Sequence, residues 1–502
     1  MQTQTKIIKT KAAVFSDIKE QAVEAELILP DYYPDISKIL KCSVSPSTEA
    51  VTVSGDRISV AGTAQIKLVF CGDDKSINVY ETQVKYTKIL QCSEIEATDI
   101  VDVVQTQGTL NYKALGPKRV EVRAAAVVRL NVHRICDKTI LTELGDKAVQ
   151  KHCRQAKCFA LSSFVSGELN VNENVKASSH GVIRSVLQSN TAVSVEEIKP
   201  VKNKLMIRGK CAVYTTYISE GGDVAVLAYP VSFTEVCDAY GVSENEKCNI
   251  CIKGADVSVG VKDSTESSVV LDVNIKIPFV MASGTDDEIT YIDDAYSVSG
   301  ELDTCFCSVD MIKDTAVCDG RFHLSFTADC YDENLSGICD SFVDDIRYSV
   351  DLSSENTAVT GSLSVNAVMK NSDGQFVIIT RTFAFEQPLP IDSVLYGESF
   401  VSVMCDSVSS SLNNGKVNFT VDMKYSGFVF SCEEKNMLCS AELIPSASVA
   451  ANENVVIYYA HSGERLWDIA KENRSSVEHI SAVNSISSDV IRQDCVLVFP
   501  NF

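Results

Sequence analysis

Residue types that can do chemistry fall into four groups in this chain. Cys248-Asn249-Ile250-Cys251 has the C-x-x-C spacing of a zinc ligand pair or a dithiol redox pair. A zinc site needs two more ligands at fitting spacing, and a redox pair needs a βαβ setting; neither accompanies it, and in a strand the two thiols face opposite sides. His152-Cys153 with Cys158, and Cys305 with Cys307, offer nucleophile and base types, yet no hydrolase signature frames any of the six histidines. The run Thr285-Asp286-Asp287-Glu288 and the pair Asp344-Asp345 lack the ligand spacing of an EF-hand loop and read as solvated faces. No Gly-rich phosphate loop of the Walker type is present, so the chain is not itself an ATPase. These absences predict no enzyme, no metal and no cofactor. The fourth group is a single residue, Trp467, the only tryptophan. It lies about 100° around a helix from Leu466, at the edge of an apolar stripe. It either packs against a neighbouring strand or anchors an interface.

The elements that position these residues are mostly strands. At 502 residues the chain exceeds one core, and three or four domains are expected. A net charge of −22 excludes nucleic acid, whose binding is driven by Lys and Arg, and disfavours anionic membrane surfaces. The first twenty residues carry no apolar run of signal-peptide type, and no stretch of 18 apolar residues occurs, so a cytoplasmic protein without a transmembrane segment is expected. The 19 cysteines are scattered through strand-like segments such as Cys211-Ala212-Val213-Tyr214 and behave as small apolar residues; an odd count cannot all pair internally.

A repeat organises the chain. Segments 58–70, 205–217 and 357–369 align around Gly62, Gly209 and Gly361, spaced 147 (209 − 62) and 152 (361 − 209) residues apart. An aromatic residue stands 24 positions after each glycine: Tyr86, Phe233 and Phe385. Alternating strand patterns return at 120–124, 269–273 and 417–421. Each glycine marks a bulge or a close backbone approach. Cys71-Gly72-Asp73-Asp74, Glu220-Gly221-Gly222-Asp223 and Asn371-Ser372-Asp373-Gly374 have hairpin turn chemistry. The expected architecture is mainly β. Three tandem antiparallel β-rich domains, with one or two short helices at their edges, occupy residues 1–145, 146–300 and 301–440. A linker at 441–454 leads to a small α+β (βααβ) module at 455–502.

That last module reads strand, helix, helix, strand. Val455 to Tyr459 is apolar; Leu466, Ile469 and Ala470 give a short amphipathic helix; Ser475 and Glu478 have the capping-box spacing for a second helix; Val496 to Phe499 returns as a strand stopped by Pro500. The segments 457–470 and 496–500 resemble a LysM module. Together with Leu29-Pro30-Asp31-Tyr32-Tyr33-Pro34-Asp35-Ile36 and the three β repeats, they make the whole chain similar to the SPOCS–LysM spore coat proteins of clostridial spore formers. The first repeat carries the clearest family wording, and the second and third are diverged.

The resemblance implies a three-domain SPOCS scaffold and a glycan groove between two loops of the LysM module. Carried over, the groove and first helix comprise Ser462, Gly463, Glu464, Arg465, Leu466, Trp467, Asn484, Ser485, Ile486 and Ile491. Two positions depart from the family: Glu464-Arg465 stands where Asp-Thr is usual, and Asp494 where glycine is usual. These put charge in or beside the groove and weigh against sugar. Two partner classes follow from the resemblance. One is a spore coat morphogenetic ATPase held at the forespore surface, on the mother-cell side, by an elongated adaptor. The other is peptidoglycan or another N-acetylglucosamine glycan.

Overall fold

A computed structural model describes residues 2–179, 181–330, 335–352, 357–391, 397–444 and 454–501. The chain is mainly β. The first stretch contains β1 (Thr3–Ile28), β2 (Ile36–Ser54), β3 (Arg57–Gly72), β4 (Ile77–Gln91), β5 (Ile100–Gly116) and β6 (Arg119–Leu144). The next contains β7 (Val149–Ala177), β8 (Ile183–Val201), β9 (Lys204–Ser219), β10 (Val224–Asp238), β11 (Lys247–Ile252), β12 (Asp256–Ser264) and β13 (Val269–Ser297). Then come β14 (Glu301–Asp329), β15 (Leu335–Asp351), β16 (Ala358–Asn371), β17 (Phe376–Pro388), β18 (Gly397–Asn413) and β19 (Lys416–Ile444). The chain closes with β20 (Asn454–Ala460), α1 (Leu466–Glu472), α2 (Val477–Asn484) and β21 (Cys495–Asn501).

Six sheets fall into three pairs. The orders β1-β6-β5 and β2-β3-β4 form the first pair, and β14-β19-β18 and β15-β16-β17 the third. In the second, β7, β11 and β12 pair with β13, opposite β10-β9-β8. Each pair encloses its own core: around Val23, Ile66 and Val122; around Ile207, Tyr217 and Val273; around Leu363, Val365 and Phe419. The strands alternate buried and exposed residues, as β-branched sequences with one wet face must.

The repeated glycines and aromatics are cross-strand partners. Gly62 lies opposite Tyr86, Gly209 opposite Phe233 and Gly361 opposite Phe385. A Cβ at these glycines would stand 2.7, 2.7 and 2.9 Å from the respective rings. The glycine is a close approach that leaves the space over which the opposite ring folds, and at Gly62 and Gly209 the strand on the other side also bulges, between Thr48 and Ala50 and between Val195 and Glu197.

Three expectations are corrected. Helices occur among the described residues only in α1 and α2. None flanks the sheets, because most strands join through turns too short for one, such as Gly55-Asp56 between β2 and β3. Residues 441–444, expected in a linker, continue β19, where Ile444 pairs with Glu301; the rest of the expected linker to 453 lies outside the described residues. The sheet pairs are also not strung out as an elongated adaptor. Val69 and Ile77, Leu187 and Ile218, and Phe342 and Phe376, two from each pair, share one apolar cluster. A second joins Ile8 and Ile140, Ile289 and Tyr291, and Val309 and Met437. At this junction the Lys11 ammonium lies 4.9 Å from the Phe164 ring centroid and 5.0 Å from that of Phe400, and pairs with Glu398.

The cysteines bring one more difference. Cys307 on β14 and Cys439 on β19 form a disulfide, and no second disulfide is present among the described residues. Cys248 and Cys251 fall on opposite faces of β11, in two different apolar clusters. The acidic runs are paired with lysine or arginine: Asp286 with Lys247, Asp287 with Lys6, Asp344 with Lys41 and Asp345 with Arg347.

Candidate functional site

The C-terminal module is built on β20 and β21, which pair antiparallel with Ile457 opposite Val498. Leu466, Ile469 and Ala470 of α1 and Ile480 of α2 are buried against Leu497 and Phe499. The second helix is capped one residue later than its sequence suggests. Ser476 accepts the His479 backbone N–H at 3.1 Å, while Ser475 is buried. Asn484 joins α2 to β21, donating to the Val498 carbonyl at 2.9 Å and accepting the Val498 N–H at 2.8 Å. Val498 therefore points its backbone polar groups away from β20. Pro500, two residues on and at the same phase, lacks only an N–H that the ladder does not use, so β21 continues past it.

The two loops assigned to a glycan groove close on each other. Gly463, at φ +98°, donates its N–H to Ile491 O at 2.8 Å; the Ile491 N–H returns to Glu464 O at 2.9 Å; the Leu466 N–H reaches Asp489 O at 2.8 Å. Arg465 and Val490 form an isolated bridge. The residues that depart from the family pattern take part. The Glu464 carboxylate accepts the His461 N–H, and the Asp494 carboxylate accepts the Ser462 N–H, both at 2.9 Å. Ser462 Oγ donates to Arg492 O at 2.9 Å. These backbone groups of the two loops are thus used within the module.

The remaining candidates divide between core and surface. Leu466 and Ile491 are buried core residues and unavailable as surface contacts; Ile486 packs partly buried against the same core. Ser485 ends α2 in the left-handed region, at φ 57°. Arg465 is exposed. Trp467 is spent inside the chain. Its indole Nε1 donates to Asp294 of β13 at 2.8 Å, and its ring lies 5.0 Å from Tyr296 and 5.3 Å from His152. Lys471 reaches the same Asp294 carboxylate at 2.6 Å, and the Tyr296 hydroxyl donates to the Ser475 carbonyl at 2.7 Å. Burial first, and then the Asp294 carboxylate, push the Tyr296 phenol above its usual range, so it stays a donor.

This seat was not visible in the sequence. A bulge between Ile292 and Asp294 leaves Asp293 out of the ladder. Asp293 turns to His152 and Arg154, and Asp294 to Trp467 and Lys471. The adjacent carboxylates were the only local signal. Among the described residues no group of His, Cys, Asp and Glu side chains has the arrangement of a metal site, and no helix is long and apolar enough to cross a membrane.

Comparison with known sequences adds one finding. The family described as SipL, SPOCS domain matches residues 35–114 and 182–262, which contain most of β2 to β5 and of β8 to β12. No curated protein and no solved structure matches the chain. Over those two segments the chain is similar to the SPOCS domain, and this likeness supports a sporulation-related role.

Proposed function

We propose that the protein is a non-enzymatic adaptor of spore envelope assembly, built of three SPOCS-type domains and a LysM-type module. On this reading it works on the mother-cell side, and its C-terminal module docks a coat morphogenetic ATPase at the forespore surface. The SPOCS match supports the sporulation setting. The third domain is proposed because β15 to β19 repeat the connectivity of β2 to β6. One observation carries the choice of protein docking over glycan binding: the two loops that would cradle a sugar are joined to each other by their own backbone at Gly463, Glu464 and Ile491.

The experiment is a pull-down with the full chain and with a form ending at residue 444, each offered insoluble peptidoglycan and a sporulating-cell lysate. Capture of an ATPase of the coat, identified by mass spectrometry and lost with the module, supports the reading. Retention on peptidoglycan without the ATPase overturns it in favour of wall binding.

A further inference from the structure

The strands of the C-terminal module are apolar on both faces, a pattern proper to strands covered on both sides. Among the described residues only one side is covered. Ala460, Leu497 and Phe499 face the helices and are buried. On the other side Val455 is 66% exposed, Ile457 61%, Tyr459 71%, Val496 51% and Val498 38%. Ile457 stands opposite Val498 and Tyr459 opposite Val496, so these side chains form one continuous patch. Scattered exposed apolar residues need no explanation, but a contiguous patch marks an interaction surface.

The edge of β20 specifies what fits there. Val498 turns its N–H and C=O to Asn484, so its pair with Ile457 is the non-hydrogen-bonded kind. Ile457, and Val455 and Tyr459 at the same phase, therefore aim their N–H and C=O groups outward, where no other strand lies among the described residues. An open edge beside an apolar face is a template for an added strand. The other edge is partly closed, because Asn484 occupies it at Val498.

Charge selects the occupant. The chain carries −22, so a second copy would meet strong like-charge repulsion. The Asp494 carboxylate, which accepts the Ser462 N–H and lies 3.8 Å from His461 Nδ1, stays largely exposed next to the start of β21. Resting on the adaptor reading above, we infer that the partner docks at β20. It would present an extended segment of alternating apolar residues flanked by lysine or arginine, added as a strand along Val455, Ile457 and Tyr459.

The test uses the full chain and a labelled nine-residue peptide of alternating valine and threonine with lysine pairs at both ends. Binding is read by fluorescence anisotropy and by amide exchange. The expected result is binding with slowed exchange in β20, and at least about ten-fold weaker binding of the same peptide with glutamate ends. Ile457→Pro removes an outward N–H that β21 does not use, and should weaken binding about ten-fold or more while leaving Trp467 emission unchanged. Tyr459→Ser with Val496→Ser tests the face without touching the backbone edge. No binding by the native chain, or equal binding by Ile457→Pro, overturns the inference. Capture of the coat ATPase by the Ile457→Pro chain would overturn it and leave the adaptor reading intact. Peptide pairing at β20 without ATPase capture would sink the adaptor reading alone.

Discussion

Gly209 lies directly across from Phe233 in the β9–β10 hairpin, and a Cβ at position 209 would stand 2.7 Å from the ring. Gly209→Ala should therefore force the ring or the strand to shift. The expected cost is about 1–3 kcal/mol, the range for overpacking a filled core. Gly209→Ala with Phe233→Leu should recover only the part due to the ring, because a Cβ at position 209 would press closer still on the Ser194 backbone carbonyl of β8. Urea unfolding of the three chains checks this, and equal stability of Gly209→Ala and native protein would contradict it.

Trp467 reports on the seat of the C-terminal module, because it is the only tryptophan and its indole N–H is held by Asp294. Asp294→Ala removes the acceptor shared with Lys471. Loss of hydrogen bonds to a charged group costs about 1.5–3 kcal/mol, discounted here because Lys471 is exposed. The expected outcome is red-shifted Trp467 emission and faster proteolysis between β19 and β20, with the module itself still folded. Unchanged emission would show that the module is held by other contacts.

Acid should loosen the junction of the three sheet pairs at His133. Its imidazole is buried beside the Phe164 and Phe400 rings, with Lys11 and the Glu398 carboxylate facing it. Burial first, and then the Lys11 charge, push its pKa from 6.5 down to about 3. The unfolded chain takes up a proton as pH falls below 6.5, and the folded chain does not until about pH 3. Stability is thus full above 6.5 and declines as pH falls, by about 2 kcal/mol at pH 5 from this group. His133→Phe should flatten that part of the pH profile. Parallel pH dependence of urea midpoints for both chains would assign the acid limb elsewhere.

Reduction should cost stability through Cys307–Cys439, whose sequence separation is 132 residues. The native oxidised chain should show two fewer titratable thiols than the reduced one. Its unfolding free energy should fall by about 2–4 kcal/mol on reduction. A link between other cysteines in an unreduced peptide map would refute the pairing.

Much of the β architecture was legible because its signals are local. Alternation gave the strands, and Gly62 with Tyr86 gave a landmark pair whose meaning, one residue covering the other, emerges only across a hairpin. The helix stripe of Leu466, Ile469 and Ala470 was equally plain. What sequence could not convey was long-range. The seat of Trp467 depends on a bulge that ejects one of two adjacent aspartates, Asp293 and Asp294, some 170 positions earlier, and nothing in their local pattern marks the partner. The groove residues carried over by resemblance met a similar limit. Spacing does not reveal that the Gly463 and Ile491 backbones answer each other, or that Leu466 and Ile491 face inward.

The shared apolar clusters have a consequence for how such a chain can change in size. β6 touches β13, β7 touches β14, and β19 touches β6, so each sheet pair borders both others. A solenoid grows by adding units at an open end. Here the circuit is finite: a fourth unit would find no vacant flank, and loss of any one would uncover two. Additions can then be made only outside the circuit, as the C-terminal module is, seated against β13 through Trp467 and Lys471.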